Sequence, residues 1–208
     1  GRLAFPIFAF MIAEGCYYTS NVKKYMLRLF LFAIISEIPF NLIMGSSVFY
    51  PFHQNVLWTF LLGVLSIQII EKAKKKQKKW ISFFVVCLVL LMDFLLGTIT
   101  MVDYNAAGIL TILLFYFFRK KTWISFAAQL VGMYYLNVAM LGNLYYPVTI
   151  LGHHFEIAQQ SFALLALIPI WLYHGEQGYH SKWFKYFCYA FYPVHLLILV
   201  VIWQWRIR

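Results

Sequence analysis

Charge is what this sequence has least of. Only 12% of its 208 residues are Asp, Glu, Lys or Arg, and just seven are acidic. A soluble globular domain carries about 25% charged residues, so an ordinary water-facing surface is excluded. Cysteine is almost as scarce. Cys16, Cys87 and Cys188 lie in or beside apolar runs with no paired spacing, which argues against a disulfide framework and against a cysteine-based zinc site. No glycine-rich phosphate loop, no Ser-His-Asp order and no metal-ligand spacing occurs, and no internal repeat, Gly/Ser linker or soluble domain interrupts the chain.

What fills the sequence instead is hydrocarbon. Hydrophobic residues make up 63% and aromatics 21%, the composition of an integral membrane protein whose main partner is the lipid bilayer. The net charge of +10 does not indicate nucleic acid. That reading needs basic residues on a folded polar face with stacking aromatics, whereas here they sit in short loops between apolar runs.

A hydrocarbon core of roughly 30 Å takes about 20 apolar residues per helix. Eight segments qualify as candidates: Leu3 to Tyr18, Tyr25 to Met44, Asn55 to Ile70, Trp80 to Thr98, Tyr104 to Phe118, Trp123 to Leu141, Ile157 to Tyr173 and Tyr186 to Trp205. They are continuous and lack the two-residue alternation of a barrel wall. The expected fold is therefore an all-α polytopic bundle of about eight transmembrane helices, forming one membrane domain over residues 1–208.

Basic residues set the orientation. Lys23, Lys24 and Arg28 flank the first loop, Lys72 to Lys79 crowd the third, Arg119 to Lys121 make the fifth, and Lys182 and Lys185 lie in the seventh. The loops around Gly45 to Gln54, Thr98 to Asp103 and Gly142 to Glu156 have no Lys or Arg. Positive residues stay on the cytoplasmic side, so the odd-numbered loops face inward and residue 1 is expected outside. An outside start with neither signal peptide nor Met leads us to expect at least one upstream helix. Trp80, Trp123 and Trp171 fall at the inner face, and Trp203 and Trp205 at the outer end of the last segment, as an aromatic belt requires.

Ionised side chains at a helix centre cost about 2.5 to 3.5 kcal/mol, so Glu14, Glu37, Asp93 and the more peripheral Asp103 each call for a partner or a role. Glu14 lies roughly 18 Å below Arg2 on the first helix, and Glu37 roughly 14 Å above Arg28 on the second. Antiparallel neighbours would bring Glu14 level with Arg28 and Glu37 toward Arg2, so cross-helix pairs are expected. Glu37 lies in SEIPFN, where Pro39 interrupts backbone hydrogen bonding. At the same outer level stand His53, Gln54, Asn55, Asp103, Tyr104 and Asn105, with His153 and His154 in an outer loop. His195, in FYPVHLLIL, is a mid-membrane group able to exchange a proton near neutral pH. From the residues alone the reading is a polar cavity within a helical bundle.

The blocks GRLAFPIFAFMIAEGCYYTSNVKKYMLRLFLFAIISEIPFNL, HQNVLWTFLLG, DYNAAGILTILLFYFFR and LYHGEQG…FYPVHLLIL, in this order over nearly the whole chain, resemble the TraX family of membrane proteins. The matching positions are Arg2, Pro6, Glu14, Gly15, Arg28, Glu37, Pro39 and Asn55, then Asp103, Tyr104, Gly108, Gly175, Gly178, Pro193 and His195. That family takes its name from a conjugation-system protein linked to N-terminal acetylation of pilin, and it is similar to membrane-bound acyltransferases that use acyl-CoA. The resemblance implies a bacterial multi-pass protein of the cytoplasmic membrane. It also implies acetyl-CoA or another acyl-CoA as donor, no metal, and an acceptor at the outer face, either pilin or a surface molecule. Members usually carry an upstream helix with an Asp-His pair, have Gly at the position of Asn105, and have Asn at that of His174.

On this reading Glu37 and His195 are the expected catalytic residues for proton transfer. Arg2, Glu14 and Arg28 would serve orientation or charge stabilisation, and His53, Asn55, Asp103 and Tyr104 would line the acceptor's approach. A proton-coupled transporter or flippase would use the same buried carboxylates and His195 as a relay. A non-enzymatic assembly partner in conjugation would use the charges for packing only.

Overall fold

The computed structural model describes residues 2–142, 144–150, 153–176, 178 and 181–207. Its helices begin where a polar loop residue meets an apolar run. Asn21 accepts a hydrogen bond from the Lys24 amide at the head of α2 (Val22–Gly45), Asn55 one from Leu57 at the head of α3 (Val56–Lys76), and Thr122 one from Ser125 at the head of α6 (Trp123–Met133). Each side-chain oxygen answers an amide that has no partner within its own helix. Lys74, Lys75 and Lys76 close α3, where positive charge complements the helix dipole.

The remaining elements are α1 (Ala4–Tyr18), α4 (Lys79–Ile99), α5 (Asn105–Phe117), a π-helical continuation of α6 (Tyr134–Ala139), strands β1 (Tyr145–Ile150) and β2 (His153–Ala158), a 3₁₀ segment (Gln159–Ala166), α7 (Leu167–Leu172) and α8 (Lys182–Ile207). Among the described residues four helices are long and apolar enough to cross a membrane: α2, α3, α4 and the Tyr186–Trp205 stretch of α8. The expectation of about eight spans is corrected accordingly. Each of the eight apolar segments contains helix, but α1 has 15 residues and α5 has 13, short of the about 20 that a full crossing takes. The sixth segment has 11 α-helical residues before it widens into the π turn, and the seventh runs only from Gln159 to Leu172. Ile157, expected to open that seventh helix, lies instead in β2, paired with Tyr146. Apolar composition reports what a segment can bury, and it does not fix the length of the helix that carries it. The fold is thus a helical bundle with one antiparallel hairpin, in register from Tyr145 opposite Ala158 to Ile150 opposite His153. Gly1, expected outside, and Gln177 of the LYHGEQG block lie outside the described residues.

Helix α5 occupies the middle, packed on α1, α3, α4 and α6, while α8 lies along α2 and α2 along α3. Ala9, Val64, Ile67, Ile109, Ile112 and Phe115 are essentially without exposure and form the centre of the core. Helix α4 lies at the periphery, with Phe83, Phe84 and Leu91 facing away from the protein. Its approach to α5 is close because Gly97 stands 2.6 Å, measured from an added Cβ, from the backbone of Ala106. Small residues permit such contacts between membrane helices. Two of the loops without Lys or Arg, expected at the outer face, are laced together: the Gln54 amide donates to the Met101 carbonyl at 3.0 Å, and the Asp103 amide to the Gln54 carbonyl at 2.9 Å. That lacing brings the His53 and Asp103 segments to one place.

Gly97→Ala should destabilise the protein by about 1 to 3 kcal/mol, because backbone cannot yield as a side chain does. Gly132→Ala should cost less than half as much, since its added methyl meets only the movable Leu114 side chain. Unfolding titrations in detergent measure both, and equal losses would contradict the packing argument.

Candidate functional site

The outer cluster begins at the laced loops. His53 Nε2 lies 3.4 Å from Asp103 Oδ1, and the imidazole stacks on Phe40. The same Asp103 oxygen accepts the Tyr104 amide at 3.1 Å, and Thr59 donates to the Asp103 carbonyl at 2.6 Å. Tyr104 and Asn105 both adopt left-handed backbone, with φ of 65° and 47°. Such a conformation is strained for tyrosine and tolerated by asparagine, which accounts for a position where the resemblance favours glycine. The Tyr104 ring stacks on Phe5 with centroids 3.8 Å apart. The hydrogen bond that His53 donates to Asp103 holds it above the ordinary histidine range, against the opposing effect of partial burial, with the Asp103 and Glu37 charges adding to the rise.

Glu37 hangs from α2 toward the first turn of α3. Its Oε2 accepts from the Asn55 amide and, at 3.0 Å, from the Trp58 indole, while Oε1 is buried with no partner among the described residues. Asn55 is fully buried and also donates to the Ala33 carbonyl at 2.9 Å. The expected Arg2–Glu37 pair does not form. Arg2 donates to Gln159 Oε1 at 3.1 Å, and Gln159 in turn donates to the Tyr146 hydroxyl at 2.8 Å, so Arg2 ties the start of the chain to the foot of the hairpin. Residues 55 and 58 lie three apart, hence on one face of α3, and together they take up the Glu37 oxygen that Arg2 was expected to meet.

At the basic end the second expected pair is also replaced. Glu14 is bound by Arg119, whose Nη2 contact is 3.1 Å and whose Nε makes the second arm of a bidentate pair. The Arg119 guanidinium lies 3.6 Å from the centroid of Tyr17, a cation–π contact. Arg28 donates to the Tyr189 hydroxyl at 3.2 Å and lies beside the rings of Tyr25 and Tyr189. The hairpin argument placed Glu14 and Arg28 at one level, and they do line one cavity, but a partner 105 residues away outcompetes the neighbour. Arg119 had been read only as a sign of orientation. A guanidinium next to the bundle at the level of an unpaired carboxylate was the signal available.

Asp93, 3% exposed on α4, accepts from Ser66 at 2.7 Å, and its second oxygen has no partner among the described residues. His195 is part-buried on α8, with Nδ1 at 2.8 Å from the Tyr192 carbonyl. A carbonyl can only accept, so Nδ1 carries the hydrogen and neutral His195 keeps its lone pair on Nε2. His153 and His154 lie in β2. No group of three or more His, Cys, Asp or Glu among the described residues can hold a metal ion.

These groups border two cavities. One, of about 840 Å³, lies at the basic end and is lined by Glu14, Tyr18, Arg28 and Tyr173 among others. The other, of about 440 Å³, runs between α1, α3 and α8, with Asp103, Tyr104 and His195 in its wall. Both are walled by Met11, Tyr25 and Tyr189. A recess of about 270 Å³ adjoins the first and presents Arg119, Lys120 and Lys121. Of the expected site residues, Asp103, Tyr104 and His195 thus share a cavity, His53 joins them through Asp103, Glu14 and Arg28 share the basic one, and Glu37 with Asn55 stands beside the outer cluster. Arg2 binds Gln159 at the hairpin and also reaches the Tyr104 hydroxyl, so it borders the cavity that Tyr104 lines.

A family model described as TraX protein matches residues 1–203. The chain belongs to the TraX family. It is also 25% identical over 212 residues to a Dichelobacter nodosus protein described as "Probable fimbrial assembly protein FimC, serogroup H1", an alignment covering 96% of this chain and 79% of that relative. No solved structure matches significantly. Membership in TraX agrees with the apolar helices in making this a membrane protein, and it gives the outer cluster and the two cavities their interest as a site.

The raised His53 midpoint gives a pH dependence of definite sign. Protonated His53 is favoured by Asp103, so its contribution is full below the ordinary histidine midpoint and is lost as pH rises through the raised one. An NMR titration of His53 should show that raised midpoint, and Asp103→Asn should lower it. A midpoint unmoved by the substitution would remove Asp103 as the cause.

Proposed function

We propose that this TraX-family chain is a membrane-embedded acyltransferase, taking an acyl group from acyl-CoA on the basic side of a bacterial cytoplasmic membrane and passing it to an acceptor at the opposite face, in the service of pilus or fimbrial assembly. One observation carries the reading: at the basic end, a cavity large enough for a cofactor-sized ligand, with Arg28, Glu14 and Glu176 as its charged lining, abuts a cavity with His195 in its wall, and Met11, Tyr25 and Tyr189 are common to both. The relative described as a fimbrial assembly protein supports the cellular context.

Arg28, Arg119, Lys120 and Lys121 border the basic cavity and its recess, and they suit the phosphates of a CoA thioester. The thioester end would pass Tyr25 and Tyr189 toward His195. There the acceptor's amine or hydroxyl attacks the thioester carbonyl, forming a C–N or C–O bond as the C–S bond breaks. His195 Nε2 takes the proton from the attacking group and returns it to the departing thiolate. Glu37, holding Asn55 and Trp58, fixes the start of α3 and supplies negative charge beside the cluster, while His53, Asn55, Asp103 and Tyr104 shape the acceptor's approach.

Full-length protein in nanodiscs should release CoA from acetyl-CoA when given an acceptor with a free primary amine. His195→Ala should lower turnover by about a hundred-fold or more with donor binding retained, Glu37→Gln should abolish transfer in protein that still folds, and Arg28→Ala should raise KM by roughly ten-fold. Near-normal turnover in the first two variants would remove both residues from the mechanism. Absence of CoA binding by folded protein would favour transport or a purely structural part in assembly.

A further inference from the structure

The 440 Å³ cavity has a polarity of its own. Its body is hydrocarbon: Phe5, Leu29, Leu57 and Phe60 are each less than a tenth exposed and offer no polar side-chain atom. Most of its polar groups stand toward the ends. Asp103 and Tyr104 stand where a loop without Lys or Arg enters the bundle, Tyr192 and His195 follow within one turn of each other on α8, and Tyr25 and Tyr189 close the other end next to Arg28. The cavity is also open at the side. Phe8 and Met11 of α1 and Phe191 of α8 line it while remaining about half exposed, 48%, 56% and 54%, and Cys188 beside them is exposed as well. On two helices of a membrane protein, exposed apolar residues face lipid tails.

We propose that this cavity admits one chain of an outer-leaflet lipid between α1 and α8, and that the acceptor of the transferred acyl group is the headgroup of that lipid. This assignment of the acceptor rests on the acyltransfer reading; the binding of the chain does not. An outer-leaflet lipid has its polar end outward and its chains running inward, which is the order of groups in the cavity. The lengths agree too. From Ala4 to Ile12, both in the wall, α1 rises about 12 Å, close to the roughly 15 Å of hydrocarbon in half a bilayer. A chain seated there leaves its headgroup hydroxyl or amine at Tyr104 and His195, with the His53–Asp103 pair beside it. A water-soluble acceptor would leave the apolar body of the cavity without a matching partner, and an apolar protein helix, some 10 Å across, is broader than a single chain and needs a wider opening.

The test uses the full chain in phosphatidylcholine nanodiscs doped with phosphatidylethanolamine that carries a diazirine midway along one chain. Irradiation should label Leu57 and Phe60, which annular lipid cannot reach, together with Phe83 and Phe84 on the lipid-facing side of α4. Leu29→Trp should cut the labelling of Leu57 and Phe60 by roughly ten-fold and leave that of Phe83 and Phe84 unchanged, which also reports that the protein has folded. Ala4→Phe, at the exposed end of the wall, is the milder second variant if the tryptophan prevents folding. Labelling confined to α4, or indifferent to both fillings, overturns the lipid site. Acylated phosphatidylethanolamine, detected by mass spectrometry after addition of acetyl-CoA, supports the acceptor role, and transfer to a peptide amine but never to the lipid overturns that role. Labelling without any CoA turnover keeps the lipid site and removes acyl transfer; turnover without labelling does the reverse.

Discussion

Hydrocarbon offers an ion no partner, so every charge that enters this bundle must be answered by the protein itself. The Glu14–Arg119 pair is the principal case. It joins α1 to the loop after α5, elements far apart in the chain, and the guanidinium is further covered by Tyr17 and Tyr18. Removing either partner would leave the other in a setting where a lone charge is costly. The pair therefore fixes how the first helix seats against the central one, and with it the walls of both cavities, since α1 contributes to each.

Much of this was legible in the residues. Apolar runs located all eight helical segments, and Asn21, Asn55 and Thr122 sit at helix starts as short polar side chains should. The outer polar cluster was visible because His53, Asp103 and Tyr104 stand at the ends of loops that carry no Lys or Arg. Span count was not legible, because α1 and α5 are as apolar as a spanning helix yet stop at 15 and 13 residues. The partners of Glu14 and Glu37 were not legible either. Proximity along the chain favoured Arg28 and Arg2, but packing of non-adjacent elements brought in Arg119, and Asn55 and Trp58 at the head of α3 take up Glu37. Hairpin β1–β2 lacks a strong turn signal of its own, and its residues fall in a segment that the charge pattern marks only as a loop.

The two cavities owe their position to the same economy of charge. Arg28, no longer needed by Glu14, lies over two tyrosines at the partition between them. Among the described residues this cation is held by a phenol hydroxyl and ring faces, and such a cation keeps much of its capacity to bind an anion. On the far side of the partition the Tyr192 carbonyl holds neutral His195 with its hydrogen on Nδ1, which leaves Nε2 as the accepting nitrogen.

The lacing of the outer loops has an evolutionary meaning. Gln54 pairs in parallel with Val102, so the connection before α3 and the connection before α5 share a backbone register. An insertion or deletion in either loop shifts its strand-like residues by one and separates His53 from Asp103. A length change in one is tolerated only together with a matching change in the other, so the two loops are inherited as a single character, and relatives that differ in loop length should differ in both.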